Sequence, residues 1–158
     1  MAKLVLLFAV CILPAIASAL YHNGPFIVQG KAYCDTCRCG FETPVTKYLA
    51  GATVRIECRD RATQKLKYSN DGVTDETGTY NIMVNTNCGD DIAEAVLVKS
   101  PDPKCATPDN GRNRARVVVT NYNGMTSNIR YANNMGFLQD EPLPSCPKIL
   151  QTYQQVDE

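Results

Sequence analysis

Ala52-Thr53-Val54-Arg55-Ile56-Glu57-Cys58-Arg59-Asp60 is the stretch whose reading decides the fold class. Val54, Ile56 and Cys58 fall on one side of it, and Thr53, Arg55, Glu57 and Arg59 on the other. Successive strand side chains point to opposite faces, so apolar-in, charged-out alternation with period two marks a half-buried antiparallel strand. Downstream, Leu66 and Tyr68 repeat the pattern and Asn70-Asp71-Gly72 reads as a turn. Asp75-Glu76-Thr77-Gly78 reads as another, with Gly78 free to take positive φ. Tyr80, Ile82 and Val84 then alternate with Thr79, Asn81 and Met83 in a further strand.

The same reading extends to both ends. Phe26 to Tyr33 is rich in β-formers, with Gly30 as a bulge or close-approach point. Ile92 to Lys99 and Arg114 to Asn121 are strands, and Pro101, Pro103, Pro108 and Gly111 make residues 100–113 a loop. Ile129 to Leu138 forms a last strand, weakened by Asn133-Asn134, and Lys148 to Gln155 a short terminal helix. Many short strands with little helix imply an all-β domain. The expectation is a small antiparallel β-barrel or sandwich of about seven strands, in one domain.

The first residues carry an address instead of structure. Lys3 precedes an apolar run from Leu4 to Leu13, Pro14 ends it, and Ala17-Ser18-Ala19 suits signal peptidase. The run is too short to cross a hydrocarbon core of roughly 30 Å as a helix. Residues 1–19 therefore read as a cleaved secretory signal peptide and residues 20–158 as the mature domain. Later apolar runs such as Val117-Val118-Val119 are strand-sized, so no membrane span is expected. Removing Lys3 leaves 15 basic against 16 acidic residues. That balance offers no electrostatic basis for binding nucleic acid or an anionic membrane. Extracellular space or cell wall is the expected location.

Cysteine is the strongest compositional signal. Of eight cysteines, Cys11 leaves with the leader, and Cys34, Cys37, Cys39, Cys58, Cys88, Cys105 and Cys146 remain. In a secreted chain these read as disulfides, and the odd count leaves one thiol free or paired with another molecule. Spacing alone does not choose among the pairings.

Catalytic chemistry finds little to build on. Cys34-x-x-Cys37-x-Cys39 lacks the following helix that a thioredoxin-type thiol needs. A zinc site would require a fourth ligand, and the single histidine, His22, stands near the mature N-terminus beside Asn23-Gly24-Pro25. The same residue would have to serve any Ser-His or Cys-His device. Asp75-Glu76, Asp90-Asp91 and Asp140-Glu141 are adjacent carboxylates whose side chains diverge, and they read as solvated turn residues. The expectation is no enzyme, no cofactor and no metal. Arg112, Arg114 and Arg116 alternate and would make a basic stripe along one strand face. Such a stripe is a candidate contact for an acidic wall polysaccharide or an acidic receptor loop, beside its simpler role as a solvated face.

Gln29-Gly30-Lys31-Ala32-Tyr33-Cys34-Asp35-Thr36-Cys37-Arg38-Cys39-Gly40-Phe41-Glu42-Thr43 opens an ordered series of matches. It continues through Ala50 to Arg59, Gly72 to Tyr80 and Val98-Lys99-Ser100-Pro101 before Cys105. Arg130-Tyr131-Ala132-Asn133 and Glu141-Pro142-Leu143-Pro144-Ser145-Cys146 complete it. Together these resemble the Ole e I-like pollen protein family over nearly the whole mature chain. The resemblance implies a secreted plant protein with a seven-stranded barrel-like fold and no established catalytic activity. Many members are abundant in pollen and several are allergenic, although others occur in roots and other organs.

It also implies three bridges, Cys34 to Cys105, Cys37 to Cys146 and Cys58 to Cys88, which would stabilise the fold by closing large loops in the unfolded chain. Two departures follow. Members usually lack a cysteine where this chain has Cys39, which makes Cys39 the free thiol. It is a buried, inert thiol, the link in a disulfide-bonded dimer of a chain otherwise expected to be monomeric, or a partner in an alternative pairing that displaces one of the six. Many members also carry an Asn-x-Ser/Thr glycosylation site, and this sequence has none, so no N-glycan is expected. The implied function is binding of a receptor ectodomain or cell-wall component in pollen or reproductive tissue. Alternatives are a structural wall protein or a carrier for a small apolar ligand.

Overall fold

The computed structural model describes residues 24–154, so the expected leader and His22 lie outside the described residues. Among the described residues, ten short strands form two sheets packed face to face, and one helix follows them. The first sheet holds β3 (Thr53–Arg59) at its centre, with β4 (Leu66–Val73) and β6 (Ile92–Lys99) on either side and β8 (Arg114–Arg116) beyond β6. Val54, Ile56 and Cys58 of β3 are buried, as alternation requires. Glu57 is buried as well, although it lies on the opposite face, because Arg59 and Arg114 reach over its carboxylate.

Asn70-Asp71-Gly72 does not turn. It runs extended inside β4, in register from Val73 opposite Thr53 to Tyr68 opposite Cys58. Long-range partners override the local turn preference: Asp71 pairs with Arg55 at 2.6 Å, and the Asn70 amide donates to the Met83 carbonyl. The reversal comes one step later. The Asp75 carboxylate accepts from the backbone N–H groups of Thr77 and Thr79, and Gly78 takes φ +73°. Hydrogen bonding within this turn holds the Asp75 carboxyl below the usual carboxylate range.

The second sheet is organised on β1 (Phe26–Asp35), which pairs along its first half with β5 (Thr79–Val84) and β9 (Ile129–Tyr131). Along its second half it pairs with β2 (Lys47–Tyr48) and β10 (Met135–Leu138), and β7 (Thr107–Pro108) adds to β10. The β1–β9 and β1–β10 ladders are parallel, so the antiparallel expectation is corrected at these two and holds for the other ladders. Two open sheets make the molecule a sandwich instead of a closed barrel. The expected strand from Ile129 to Leu138 is split into β9 and β10 at Ala132-Asn133-Asn134. Each half serves one half of β1.

Arg114 to Asn121 forms a ladder only over its first three residues, β8. Beyond them Val117 and Val119 are still buried, but isolated backbone bonds replace the ladder: Val117 N–H to Ala93 O and Cys88 N–H to Val119 O. Buried Arg130 spans this segment, donating to the carbonyls of Ser127, Ile129 and Thr120 and stacking over Phe26. The helix α1 (Cys146–Gln154) begins before the expected Lys148. A proline in the first helical turn sacrifices no hydrogen bond, so Pro147 does not delay it.

Val28, Tyr80, Ile82 and Val84 of one sheet meet Val54, Ile56, Ala95 and Leu97 of the other, with Met135 and Phe137 from β10. Each large side chain here contributes roughly 1.5–3 kcal/mol on burial. Cys58–Cys88 pins β3 to the chain after β5. Gly30 is the tightest point: a Cβ there would stand 2.4 Å from the Tyr80 hydroxyl oxygen, which is buried and has no hydrogen-bond partner among the described residues. Gly30→Ala is therefore expected to lower stability by about 1–3 kcal/mol through overpacking. Tyr80→Phe alone should be close to neutral and, combined with Gly30→Ala, should restore part of the loss. Chemical denaturation of the three variants checks this, and strict additivity would sink the contact as the cause.

Candidate functional site

The second half of β1 delivers the signature segment to one end of the sandwich. Asp35, the last residue of β1, is 1% exposed and acts as the cap of the loop that follows. Its carboxylate accepts the N–H of Cys37 at 3.1 Å and of Gly40 at 2.7 Å, and the thiol of Cys39 at 3.7 Å. Its backbone carbonyl accepts from Arg38 and Gln139. Charge-assisted bonds of this kind compensate the two left-handed residues of the loop, Arg38 (φ 54°) and Gly40 (φ +81°). Two bridges fasten the same region: Cys34–Cys105 at the end of β1, and Cys37–Cys146 between the loop and α1. Phe41 packs edge-on against Tyr153 of α1, with ring centroids 5.2 Å apart.

A cleft of about 440 Å³ opens beside this loop, lined by Tyr33, Phe41, Glu42, Arg112, Ala132, Asn133 and Asn134. Glu42 is held from two sides, by the Tyr48 hydroxyl at 2.7 Å and the Asn134 amide at 2.9 Å. That bond to Glu42 is the main reason the Tyr48 phenol is pushed up. Burial pushes the Tyr33 phenol up to about 12, against a smaller opposing effect of the Arg112 guanidinium. Tyr33 is thus a neutral wall of the cleft at physiological pH.

Arg112, Arg114 and Arg116 do not form one stripe, which corrects the alternation expected of them. The Arg112 carbonyl accepts from Gly136 of β10, whereas the ladder to β6 begins only at Arg114, so the chain changes sheets between them. The Arg112 side chain turns toward the signature loop and donates to the Gly40 carbonyl at 2.7 Å. Arg114 lies 3.0 Å from Glu94 and 3.7 Å from Glu57, and Arg116 lies 3.7 Å from Glu94. Their charge is already matched within the sheet.

The adjacent carboxylates also have local roles. Asp75 caps its own turn, and Asp91 shares Lys67 with Asp60, both at 2.9 Å. Among the described residues no group of three or more His, Cys, Asp or Glu side chains could hold a metal ion. Cys39 is the free thiol, half-buried beside Asp35. Burial raises its pKa, which disfavours the reactive thiolate. Reading the sequence missed Tyr33, Glu42, Tyr48 and Asn134 as neighbours. Phe41-Glu42 inside the signature and the polar Asn133-Asn134 break were the available signals, but only the sheet brings them together.

Asp35→Asn tests the cap. The replacement amide cannot accept at every position the carboxylate does, so the expected loss is about 2 kcal/mol, typical of bonds to a buried charge. It is read by denaturation with the disulfides intact; unchanged stability would remove Asp35 from this role.

Comparison with known proteins agrees with this architecture. The family model described as "Pollen protein Ole e 1 like" matches residues 24–154. The chain is 42% identical to the pollen-specific protein C13 of Zea mays, over 96% of this chain and 90% of that one. It is 40% identical to the anther-specific protein LAT52 of Solanum lycopersicum, over 95% and 94%. The crystal structure of the major plantain pollen allergen Pla l 1 superposes with a TM-score of 0.70 at 28% identity, covering 78% of this chain and all of that one. Sequence, bridges and sandwich together make this chain a member of the Ole e 1-like family of pollen proteins.

Proposed function

We propose that the chain is secreted after loss of residues 1–19 and that residues 20–158 form one non-enzymatic extracellular domain. It works in pollen or reproductive tissue by presenting the cleft end of the sandwich to a receptor ectodomain or a cell-wall component. The observation that carries this reading is the cleft beside the signature loop. Its charged, amide and aromatic groups stand on a frame fixed by two disulfides and the Asp35 cap. A surface held this firmly loses little conformational freedom on binding, which favours recognition. The names of the pollen and anther relatives support the tissue. A carrier role is disfavoured, because Val54, Ile56, Tyr80, Ile82 and Val84 fill the space between the sheets.

Affinity capture with tagged, oxidised protein from pollen and vegetative extracts tests the reading. Wild type is expected to retain a receptor ectodomain or a wall polysaccharide, and Arg112→Ala to lower retention about fivefold or more, the effect of losing one strong contact. Reversing Arg114 and Arg116 should leave retention unchanged. Equal retention by all variants would remove the cleft from recognition.

The protein acts as a monomer with Cys39 reduced. On non-reducing electrophoresis wild type and Cys39→Ser should migrate alike. A wild-type dimer abolished by the substitution would establish a Cys39-linked pair instead.

A further inference from the structure

The cleft at the signature loop does not end at Asn134. A second depression of about 270 Å³, lined by Gln29, Gly30, Lys31, Thr79, Tyr131, Ala132 and Asn134, shares Ala132 and Asn134 with it. The two make one shallow path over the break between β9 and β10. Tyr131 stands at its outer end, 73% exposed on the sheet face. Lys31 lies along it with its ammonium 4.3 Å from the centre of the half-exposed Tyr48 ring. Gln29 and Asn81 are joined amide to amide on the same face.

Charge along this path is unevenly used. Of the lining residues only Lys31, Arg112 and Glu42 are charged. Both oxygens of Glu42 are engaged, by Tyr48 and Asn134. The acidic groups near the two cations are occupied too: Asp75 in its own turn, and Asp109 by the Gly111 N–H. Neither Lys31 nor Arg112 is in an ion pair among the described residues, whereas Arg55, Arg59, Lys67, Arg114 and Arg116 all are. Two cations outside any ion pair among the described residues, the exposed Tyr131 ring and a row of amides are complementary to one kind of chain. Its rings offer C–H faces for aromatic contact, hydroxyls for amides and carboxylates for the cations.

We propose that this path binds a linear hexuronate polysaccharide, with a sugar ring against Tyr131 and uronate carboxylates at Lys31 and Arg112. The proposal rests on the reading of the cleft end as a recognition surface and names the ligand class for it. Calorimetric titration with a galacturonate hexamer is the test, beside its fully methyl-esterified form and a neutral glucose hexamer. The free acid is expected to bind, and both uncharged oligomers at least about tenfold more weakly. Lys31→Gln and Tyr131→Ala, at positions outside the core, should each weaken binding about fivefold or more, and Arg112→Gln likewise. Reversing Arg114 and Arg116 should change it less than twofold.

Equal binding of the neutral oligomers, or insensitivity to Lys31→Gln and Tyr131→Ala, would overturn the proposal. So would loss of binding on reversing Arg114 and Arg116. Failure of the free acid to bind, while Arg112→Ala still lowers capture of a receptor ectodomain, would discard the ligand class and leave the recognition surface standing. Failure of both would discard the surface itself.

Discussion

Ten residues of β1 hydrogen-bond to four other strands, and that shared ladder is the constraint on which the rest depends. A strand can have only one partner on each edge at a given residue, so β5 and β9 must give way before β2 and β10 can pair. The exchange occurs around Gly30 to Ala32. Ala32 N–H already bonds to the Gly78 carbonyl, and the Ala32 carbonyl accepts from Leu49. On the other edge the Ala132 N–H bonds to Gln29 just as β9 ends. The absent side chain of Gly30 makes room for the Tyr80 ring at this crossing. The break in the C-terminal strand at residues 132–134 is therefore a consequence of how β1 is shared, and it creates the floor common to both depressions.

Much of this was legible in the sequence because it was local. Period-two alternation located β3 and β5, and the Asp75–Gly78 turn declared itself through its glycine. Errors arose where a distant partner outweighed a local signal. Asn70-Asp71-Gly72 has turn chemistry, yet β3 and Met83 hold it extended. Arg112 has the spacing of Arg114 and Arg116, yet its carbonyl is bound in the other sheet. Nor can alternation report parallel pairing, since side chains alternate identically in both kinds of ladder. The cleft was the least legible feature, as its walls come from segments near residues 33, 42, 112 and 134.

The bridges act on those same long separations. Cys34–Cys105 and Cys37–Cys146 span 71 and 109 residues, closing loops whose removal from the unfolded ensemble is worth roughly 4–5 kcal/mol each on the chain-entropy model. Both converge on the end of β1 where Asp35 caps the signature loop. Stability is thereby concentrated beneath a surface loop, the part of a fold that is ordinarily most mobile. A loop with two left-handed residues can keep one shape only with such support.

Charge distribution completes the contrast between the two sheets. On the outer face of β3, β4, β6 and β8, arginines meet carboxylates across the strands: Arg55 with Asp71, Arg59 and Arg114 with Glu57, Arg114 and Arg116 with Glu94. Pairs already satisfied by neighbours must be broken or shared before they can serve a ligand, which blunts any gain in affinity. The β1 sheet instead offers Lys31 and Arg112, with no carboxylate bound to either among the described residues, next to aromatic rings and amides. The arginines of the first face are thus largely committed to neighbouring carboxylates, whereas Lys31 and Arg112 are not. That difference, more than the net charge of the chain, is the physical basis for proposing recognition at the end of the molecule where the signature loop is fastened.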